Sequence, residues 1–450
     1  MFGKLKSVDK KLSPGLKKII RNIGWLSAER LIRMALSFFV GIYVIRYLGP
    51  ENFGKLSYSI SFVFLFLAIT KLGLDQIVIR NLVNQRESTS EILGTAFMLK
   101  LLGCISAFFM ISVSILPSSG DVQIRQMTII IAFSMIFTCF DVLDLWFQSQ
   151  VLSKSLAIAR SVQFIISNLA KLCFIWLKLP LIAFAYIFIA DTLIRAIGMS
   201  WIYIQDNKHH LVPWKIDKFL AIDLLKNSWP LILSGVMSTI YMRIDQVMLG
   251  NMSTSQEVGN YAAAVKFSEV WYFIPTVICS SVYPAIIQAR QKSKKEYYFK
   301  MQQLYDFLVL LSLSVAMLVS FSSDFILTNL LGSEYSSASQ ILTLHIWSGI
   351  FIFLGVARGN WLVIENKTRL SLVTQMLGAV TNICLNLLLI PQSGAIGAAV
   401  STLVSYAVSS YLSSMLFPSM FHNGWMLTKA LLVPLRIKTL LSMHKQGIIK

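Results

Sequence analysis

Long apolar segments follow one another through almost the whole chain, separated only by short polar stretches. A membrane-spanning helix needs about 20 predominantly apolar residues, and twelve segments are long enough. They are roughly 24–47, 57–80, 92–116, 124–148, 156–178, 180–205, 229–250, 261–290, 303–322, 339–362, 370–391 and 395–416. Only 14% of the 450 residues are charged, against roughly 25% in a soluble domain. The sequence therefore predicts an all-α polytopic membrane protein and excludes a water-soluble enzyme.

Two apolar stretches do not have the length of a simple span. The segment 261–290 is too long for one straight helix, so Pro275 and Pro284 are predicted to kink it or mark its end. The stretch from Trp425 to Leu435 is too short to cross a membrane, so it is predicted to lie on the surface.

Lysine and arginine residues are distributed very unevenly among the segments that join the spans. With the N-terminus in the cytoplasm, 26 of them fall on the cytoplasmic side and four on the outer side. Cytoplasmic loops of membrane proteins carry such an excess, so both termini are predicted to be cytoplasmic. The first span is expected to stay uncleaved, because no small-residue cleavage site follows a short apolar core. The net charge of +19 is thereby explained by topology, and a nucleic-acid partner is not needed.

The longest cytoplasmic loop divides the apolar segments into two sets of six. We predict four regions: an N-terminal lobe over 1–205, an amphipathic linker over 206–228, a C-terminal lobe over 229–416 and a cytoplasmic tail over 417–450. The linker interleaves basic with apolar residues, a pattern typical of a helix that lies on the membrane surface.

The two halves of the chain also resemble each other at the ends of corresponding spans. The matched pairs are Leu48-Gly49 with Leu249-Gly250, and Phe53-Gly54 with Val258-Gly259. Six spans per half would give both copies the same orientation. The pattern therefore indicates parallel repeats about an axis along the membrane normal, with a cavity between the two lobes.

Sequence signatures of nucleotide, metal or nucleophilic chemistry are absent. No GxxxxGK[ST] and no HExxH occurs. The five cysteines are far apart in apolar runs and form no CxxC. The outer loops are short, and a membrane glycan polymerase would need larger outer machinery. We therefore predict no enzymatic activity, no cofactor and no metal site.

Ionisable residues inside the spans are the candidates for function. Each costs at least about 2.5 kcal/mol in hydrocarbon unless a partner or a wet cavity compensates it. Ten cations stand against seven carboxylates in the predicted spans, and this positive surplus suits an anionic cargo. Arginine in particular matches phosphate oxygens in a bidentate fork. The candidate cargo-binding residues are Arg30, Arg33, Arg243 and Lys266.

Three carboxylates in the spans have no oppositely charged neighbour on the same helical face. They are Asp141, Asp144 and Asp245. An unpaired carboxylate in a membrane can exchange protons or sodium ions, so these are candidate ion-coupling residues for a proton or sodium gradient. Pairing with a cation on another helix is the structural alternative, and the sequence leaves both open.

Five further stretches carry a resemblance to a known family. They are YLGPENFGKLSYS at 47–59, LGLDQIVIRNL at 72–82, RIDQVMLGNMSTSQEVGNYAAAVKFSEV at 243–270, LGSEYSSA at 331–338 and NICLNLLLIPQSGAIGAAVSTLVSY at 382–406. Together they resemble the Wzx-like polysaccharide flippases, a branch of the multidrug/oligosaccharidyl-lipid/polysaccharide exporter superfamily. The resemblance covers almost the whole chain.

The resemblance implies a MATE-like V of two six-helix lobes with alternating access. It implies transport of an undecaprenyl-diphosphate-linked oligosaccharide across the bacterial inner membrane, for O-antigen, capsule or exopolysaccharide synthesis. Cationic cavity residues would engage the diphosphate. Membrane lipids, a polysaccharide polymerase and chain-length proteins are the expected partners. The alternative within the same fold is a cation-coupled exporter of small drugs, whose usual cationic cargo is disfavoured by the surplus of arginine and lysine.

Overall fold

The computed structural model describes residues 14–84, 89–118, 120–150, 152–206 and 213–436, and these are almost entirely helical. Side chains are described from Arg33 onward, apart from a few positions at helix ends. All twelve predicted apolar segments fall on helices, and no strand occurs in the described ranges. The prediction of an all-α membrane protein is confirmed.

The helices are numbered in chain order. The first eight are α1 (Pro14–Phe64), α2 (Leu67–Lys71), α3 (Asp75–Asn84), α4 (Thr89–Ser118), α5 (Val122–Ser134), α6 (Val142–Ser149), α7 (Ser153–Trp176) and α8 (Leu181–Asp206). The others are α9 (Lys218–Met252), α10 (Ser255–Glu269), α11 (Phe273–Lys292), α12 (Lys294–Leu331), α13 (Ser336–His345), α14 (Ser348–Ile364), α15 (Thr368–Ala407), α16 (Ser413–Leu416) and α17 (Phe421–Leu431). Short 3₁₀ turns join several of them, and a π-helical turn (Val408–Leu412) joins α15 to α16.

By length and apolarity, seven helical stretches of the described chain can cross a membrane, or up to nine if each of two bent pairs counts as one span. The last stretch, Thr368–Leu416, contains both of the final two predicted segments. The helical spans are therefore present, while a total of twelve crossings stays a prediction.

Two long helices each contain a glycine at which the chain changes direction. In α1 the break is at Gly49, with φ +71°, and in α15 it is at Gly394, with φ +53°. These left-handed backbone angles are unfavourable for residues with a Cβ atom and cost glycine nothing. Both breaks coincide with the predicted gaps between consecutive apolar segments, so each helix joins two such segments.

The break in the eighth predicted span has the expected cause. A 3₁₀ turn, Val270–Tyr272, separates α10 from α11, and Pro275 follows in the first turn of α11. Proline has no N–H and its ring clashes with the carbonyl four residues earlier, at Trp271. The regular helix therefore cannot continue through this point. Pro284 is accommodated inside α11.

The described chain forms two compact units. The first contains the residues up to Tyr47 and Phe66–Val236; the second contains Leu48–Leu65 and the chain from Met237 onward. The last part of α1, from Leu48 on, thus belongs to the second unit, although the chain then returns to the first unit at Phe66. The lobe boundaries 1–205 and 229–416 stay predictions.

The core of the first unit forms where α3, α4 and α6 meet. Leu74, Val78 and Leu82 recur at four-residue spacing, which places them on one face of the α3 region, and all three are fully buried. From the linker, Leu224 is also buried, and Trp214 packs against the same core. From Lys218 on, the predicted linker 206–228 is the first part of α9 and not a separate helix, while its place on the membrane surface stays a prediction. Residues 207–212 lie outside the described part.

The core of the second unit contains α11, α12, α14 and the tail helix α17. Met426, Leu427 and Ala430 of α17 are buried in it. Trp425 on the opposite face is half-exposed. The helix α17 is amphipathic and buries its apolar stripe against the unit, while its place at the membrane surface stays a prediction. The chain beyond Arg436 lies outside the described residues.

The repeat detected in the sequence corresponds to a physical contact inside the second unit. A Cβ atom on Gly54 would lie 1.7 Å from the carbonyl oxygen of Ser255, and one on Gly259 would lie 1.8 Å from that of Pro50. The matched glycines therefore allow α1 and α10 to touch backbone to backbone.

Candidate functional site

A buried carboxyl group lies among three helices of the second unit. Asp245 of α9 is 4% exposed. Its Oδ2 accepts hydrogen bonds from Tyr261 Oη at 2.9 Å and Thr402 Oγ1 at 2.7 Å, and its Oδ1 accepts one from Asn386 Nδ2 at 2.6 Å. All of these donors are neutral. Helices α9, α10 and α15 thus hold one carboxyl group without a lysine or arginine among its hydrogen-bond donors.

The groups around Asp245 extend this cluster, which we call the Asp245 cluster (Asp245, Tyr261, Asn382, Asn386 and Thr402). Asn386 donates to Asn382 Oδ1 at 3.1 Å, and Tyr261 and Thr402 also share a hydrogen bond of 3.0 Å. The Oδ1 atom of Asn386 is buried with no hydrogen-bond partner in the described chain. A carboxylate and a spare amide oxygen side by side are hard oxygen ligands, which suit a proton or an alkali cation.

The predicted cargo-binding residues of the second unit lie outside this cluster. Arg243 is partly buried, lies 5.8 Å from the ring centroid of Phe64 and interacts electrostatically with Glu269. A cation over an aromatic face gains about 0.5–2 kcal/mol. Lys266 is partly buried and also takes part in an interaction within the structure. Arg243 and Asp245 are two residues apart and have different partners, as their helical spacing predicts.

The two candidate carboxylates of the first unit are paired with arginines. Asp144 Oδ2 lies 2.7 Å from Arg160, and Asp141 lies 3.5 Å from Arg195. Asp144 Oδ1 is buried without a hydrogen-bond partner in the described chain. The structural alternative, pairing with a cation on another helix, therefore holds for both, and ion coupling at these residues stays a prediction.

A further ion pair belongs to the same neighbourhood of the first unit. The ammonium of Lys100, buried in α4, lies 2.7 Å from Asp75 at the start of α3. In the sequence Lys71 and Asp75, and likewise Asp191 and Arg195, are four residues apart, a spacing that would pair them on one helix face. In the structure Asp191 instead accepts a hydrogen bond from Gln163. Same-helix spacing alone could not identify these partners, because they come from neighbouring helices.

The cationic candidates of the first helix are only partly described. Arg33 of α1 is partly exposed and engaged in an interaction. Arg30 lies in the same helix, and its side chain falls outside the described side chains. Both stay predictions as cargo-binding residues.

Arg358, like Lys100, is a buried cation that was not among the predicted site residues. Arg358 lies near the end of a predicted span, where a long cationic side chain can extend to the membrane surface. In the structure it is instead buried in α14, with 4% of its surface exposed. It donates to the carbonyl of Ser409 at 2.7 Å and to the hydroxyls of Thr374 and Ser413, each at 2.9 Å. The SxxSS pattern at 410–414 is the only sequence signal for this hydroxyl-rich surrounding.

Two family models and two curated proteins match parts of the chain. The sequence model of the family described as polysaccharide biosynthesis protein matches residues 19–290, and the MatE model matches 230–388. The probable low-salt glycan biosynthesis flippase Agl15 of Haloferax volcanii is 26% identical over 217 residues, 45% of this chain and 44% of that protein. The probable flippase AglR of the same organism is 25% identical over 265 residues, 56% of this chain and 53% of that protein. The chain thus spans about half the length of these curated relatives.

Solved structures share the fold over nearly the whole chain. An inward closed conformation of the lipid II flippase MurJ superposes with a TM-score of 0.72 at 14% identity, covering 94% of this chain and 99% of that one. An inward-facing multidrug resistance MATE family transporter of the MOP superfamily gives 0.69 at 12% identity, covering 91% and 98%. At these identities the likeness shows the fold, and the predicted exporter-superfamily fold is confirmed. Because its model matches more than half of the chain, the protein belongs to the polysaccharide biosynthesis protein family.

Proposed function

We propose that the protein is a flippase that moves a lipid-linked glycan across a membrane by alternating access. The observation that carries the mechanism is the Asp245 cluster, a buried carboxyl group held only by neutral donors inside apolar helices. The names of both Haloferax volcanii relatives, a glycan biosynthesis flippase and a flippase, support this class of activity. In this proposal the protein is a transporter and not an enzyme.

The proposed cargo carries its charge on a diphosphate next to the glycan. Taking bare phosphate charge through hydrocarbon is prohibitive, so fixed cations along a wet path have to accompany it. Arg243 and Lys266 in the second unit, and Arg30 and Arg33 in α1, are the side chains we assign to this role. The surplus of cations over carboxylates in the predicted spans supports an anionic cargo.

The finer proposal is an undecaprenyl-diphosphate-linked repeat unit in a bacterial inner membrane, destined for O-antigen, capsule or exopolysaccharide. In this proposal both termini are cytoplasmic, and a polymerase and chain-length proteins act next. Both curated relatives are archaeal, so they support the lipid-linked glycan and the flipping but neither the bacterial carrier lipid nor the polymer.

We assign coupling to an ion gradient to Asp245. Protonation or sodium binding there would change the charge of a buried group on α9 that contacts α10 and α15. A change of net charge in a buried site shifts the balance between two conformations, because each conformation solvates that charge differently. Asp245→Asn is expected to keep the hydrogen-bonded shape and abolish dependence on the proton or sodium gradient.

Asp306 provides the matched control for this substitution. It is a buried carboxyl in the same unit, but Arg436 pairs with it at 3.2 Å. Asp306→Asn should leave gradient dependence unchanged. Transport that is equally gradient-dependent in the Asp245→Asn variant, or gradient-independent in the unsubstituted protein, would remove Asp245 from the coupling role.

The second candidate function is cation-coupled drug export, which is favoured by the match of the MatE family model to residues 230–388. A reconstitution experiment separates the two. The full chain is placed in vesicles with a polyprenyl-diphosphate oligosaccharide, and the fraction of glycan exposed outside is read with a membrane-impermeant glycosidase.

Under the proposed function, the fraction of glycan exposed outside rises with the amount of protein in the vesicles. Added free diphosphate should lower this fraction, because it competes with the cargo for the cations. Protein-free vesicles are the control. Unchanged glycan exposure together with protein-dependent efflux of a lipophilic cationic dye would replace the flippase proposal by drug export.

A further inference from the structure

A polar cavity of about 360 Å³ opens at one end of the second unit. The start of α10, the start of α13 and the turn at Gly394 in α15 form its walls. Three carboxamides line it, from Gln256, Asn260 and Gln340, together with three hydroxyl groups and the carboxylate of Glu257. The predicted topology places this end of the unit on the outer, non-cytoplasmic side of the membrane.

The floor of the cavity carries a hydrogen-bonding group that the described protein does not satisfy. Asn260 is 4% exposed, and its Oδ1 atom has no hydrogen-bond partner in the described chain. Leaving a buried acceptor unpaired costs about 1–3 kcal/mol. Asn260 lines the cavity, and a 180° rotation of its carboxamide would turn the unpaired oxygen to a ligand donor seated there.

The wall next to this floor is fixed by an unusual turn of the backbone. The carboxylate of Glu257 accepts a hydrogen bond of 2.7 Å from the backbone N–H of Ala395. At Gly394 a Cβ atom would lie 1.8 Å from the same carboxylate. Glycine at position 394 leaves room for the Glu257 side chain to approach the turn. The hydrogen bond of Glu257 to the backbone then fixes this wall of the cavity.

The chemistry of the lining identifies the ligand class. Carboxamides both donate and accept hydrogen bonds, as the hydroxyls of a sugar do, while Ile341 and Ile396 offer an apolar wall for the C–H face of a ring. No lysine or arginine is among the described lining residues, and Glu257 repels anions. The volume is near the lower limit of ligand pockets, roughly 300–1,000 Å³, which suits one sugar unit and not a lipid.

We propose that this cavity binds a neutral or amino-bearing sugar unit. The inference rests on the proposed function for the source of that sugar, namely the glycan of the cargo once it has reached the outer side. The binding chemistry itself depends only on Asn260, the carboxamides of the mouth and the absence of a cation in the lining.

The test is equilibrium binding of methyl glycosides to the full chain purified in detergent, followed by saturation-transfer NMR. The probes are the methyl glycosides of glucose, galactose, mannose, N-acetylglucosamine, glucosamine and glucuronic acid. At least one neutral or amino sugar should bind saturably, and glucuronic acid should bind at least about tenfold more weakly. Asn260→Leu, which keeps the size of the side chain, should weaken binding at least about tenfold, a free-energy loss of about 1.4 kcal/mol.

Asn329→Leu is the matched control, because Asn329 lies near the same end of the unit but bonds the carbonyl of Phe325 outside the cavity. Gln340→Ala at the exposed mouth provides a second test if Asn260→Leu does not fold. Absence of saturable binding, tighter binding of the glucuronide, or unchanged binding in both cavity variants would overturn the proposal. Sugar binding without glycan flipping in vesicles would instead refute the proposed function and leave the cavity assignment standing.

Discussion

Replacing Gly259 by alanine tests the closest helix contact of the second unit. A Cβ atom at this position would lie 1.8 Å from the carbonyl oxygen of Pro50 and 3.1 Å from the backbone nitrogen of Gly54. Ordinary contact with a Cβ begins at 3.4 Å. The obstacle is backbone, which cannot rotate away, so α10 has to move away from α1.

The expected cost follows from two opposing effects. Overpacking costs about 1–3 kcal/mol when side chains can adjust, and a clash with backbone belongs at the upper limit, about 3 kcal/mol. Alanine in a helix interior returns about 0.5–1 kcal/mol relative to glycine. The net loss is about 2 kcal/mol, roughly a 30-fold decrease in the ratio of folded to unfolded protein. At about 2–4 °C per kcal/mol, Tm should fall by about 4–8 °C.

The assay is thermal unfolding of the full chain in detergent, followed by near-UV circular dichroism. Gly359→Ala is the matched control, because a Cβ at Gly359, in α14, meets nothing within 4 Å. That variant should have an unchanged or slightly raised Tm. Gly54→Ala should resemble Gly259→Ala, and the double variant should lose less than the sum, because one displacement relieves both clashes. Equal Tm values for Gly259→Ala and Gly359→Ala would refute the reasoning.

Three further outcomes are expected. In intact cells, an impermeant maleimide should label Ser337→Cys, and it should label Lys294→Cys only after permeabilisation; the reverse pattern would invert the predicted topology. Asp144→Asn should lower the free energy of unfolding of the first unit by about 1–3 kcal/mol. This loss is smaller than for a fully buried ion pair, because Arg160 is 30% exposed. An unchanged Tm would show that the pair contributes nothing to stability. Arg243→Ala should abolish glycan flipping at normal protein level while Arg243→Lys retains part, and a full rate in the alanine variant would exclude Arg243 from cargo binding.

The class of fold could be predicted because hydrocarbon imposes a length on every span. Helices are the only structures by which a single chain of this kind satisfies its backbone across apolar segments of about 20 residues. The prolines of the eighth segment predicted the break before Pro275, because proline cannot continue a regular helix. The break at Gly49 falls just after the first apolar segment, which ends near residue 47, but no break was predicted there. The length argument did not reveal that α17, whose eleven apolar residues are too few to cross a membrane, packs one face against the core of the second unit.

The partners of the charged residues could not be predicted, because they are distant in sequence. Asp245 bonds to Asn386 and Thr402, 141 and 157 residues away, and helical spacing carries information only over one or two turns. The echo of Phe53-Gly54 in Val258-Gly259 did contain a hint, since repeated glycines indicate close approach. It showed that both positions matter without showing that they touch each other.

The carboxylates of the two units differ in what surrounds them, and this difference ranks them as coupling sites. In the first unit Asp141 and Asp144 each face an arginine, so protonating either one would leave a guanidinium without its counter-ion, which is unfavourable. Around Asp245 the donors are a phenol, an amide and a hydroxyl, and protonation there leaves no charge unpaired. A proton or a sodium ion can therefore bind at Asp245 at a lower cost than at the other two. Substitution of Asp245 should change coupling before it changes stability, and substitution of Asp144 should do the opposite.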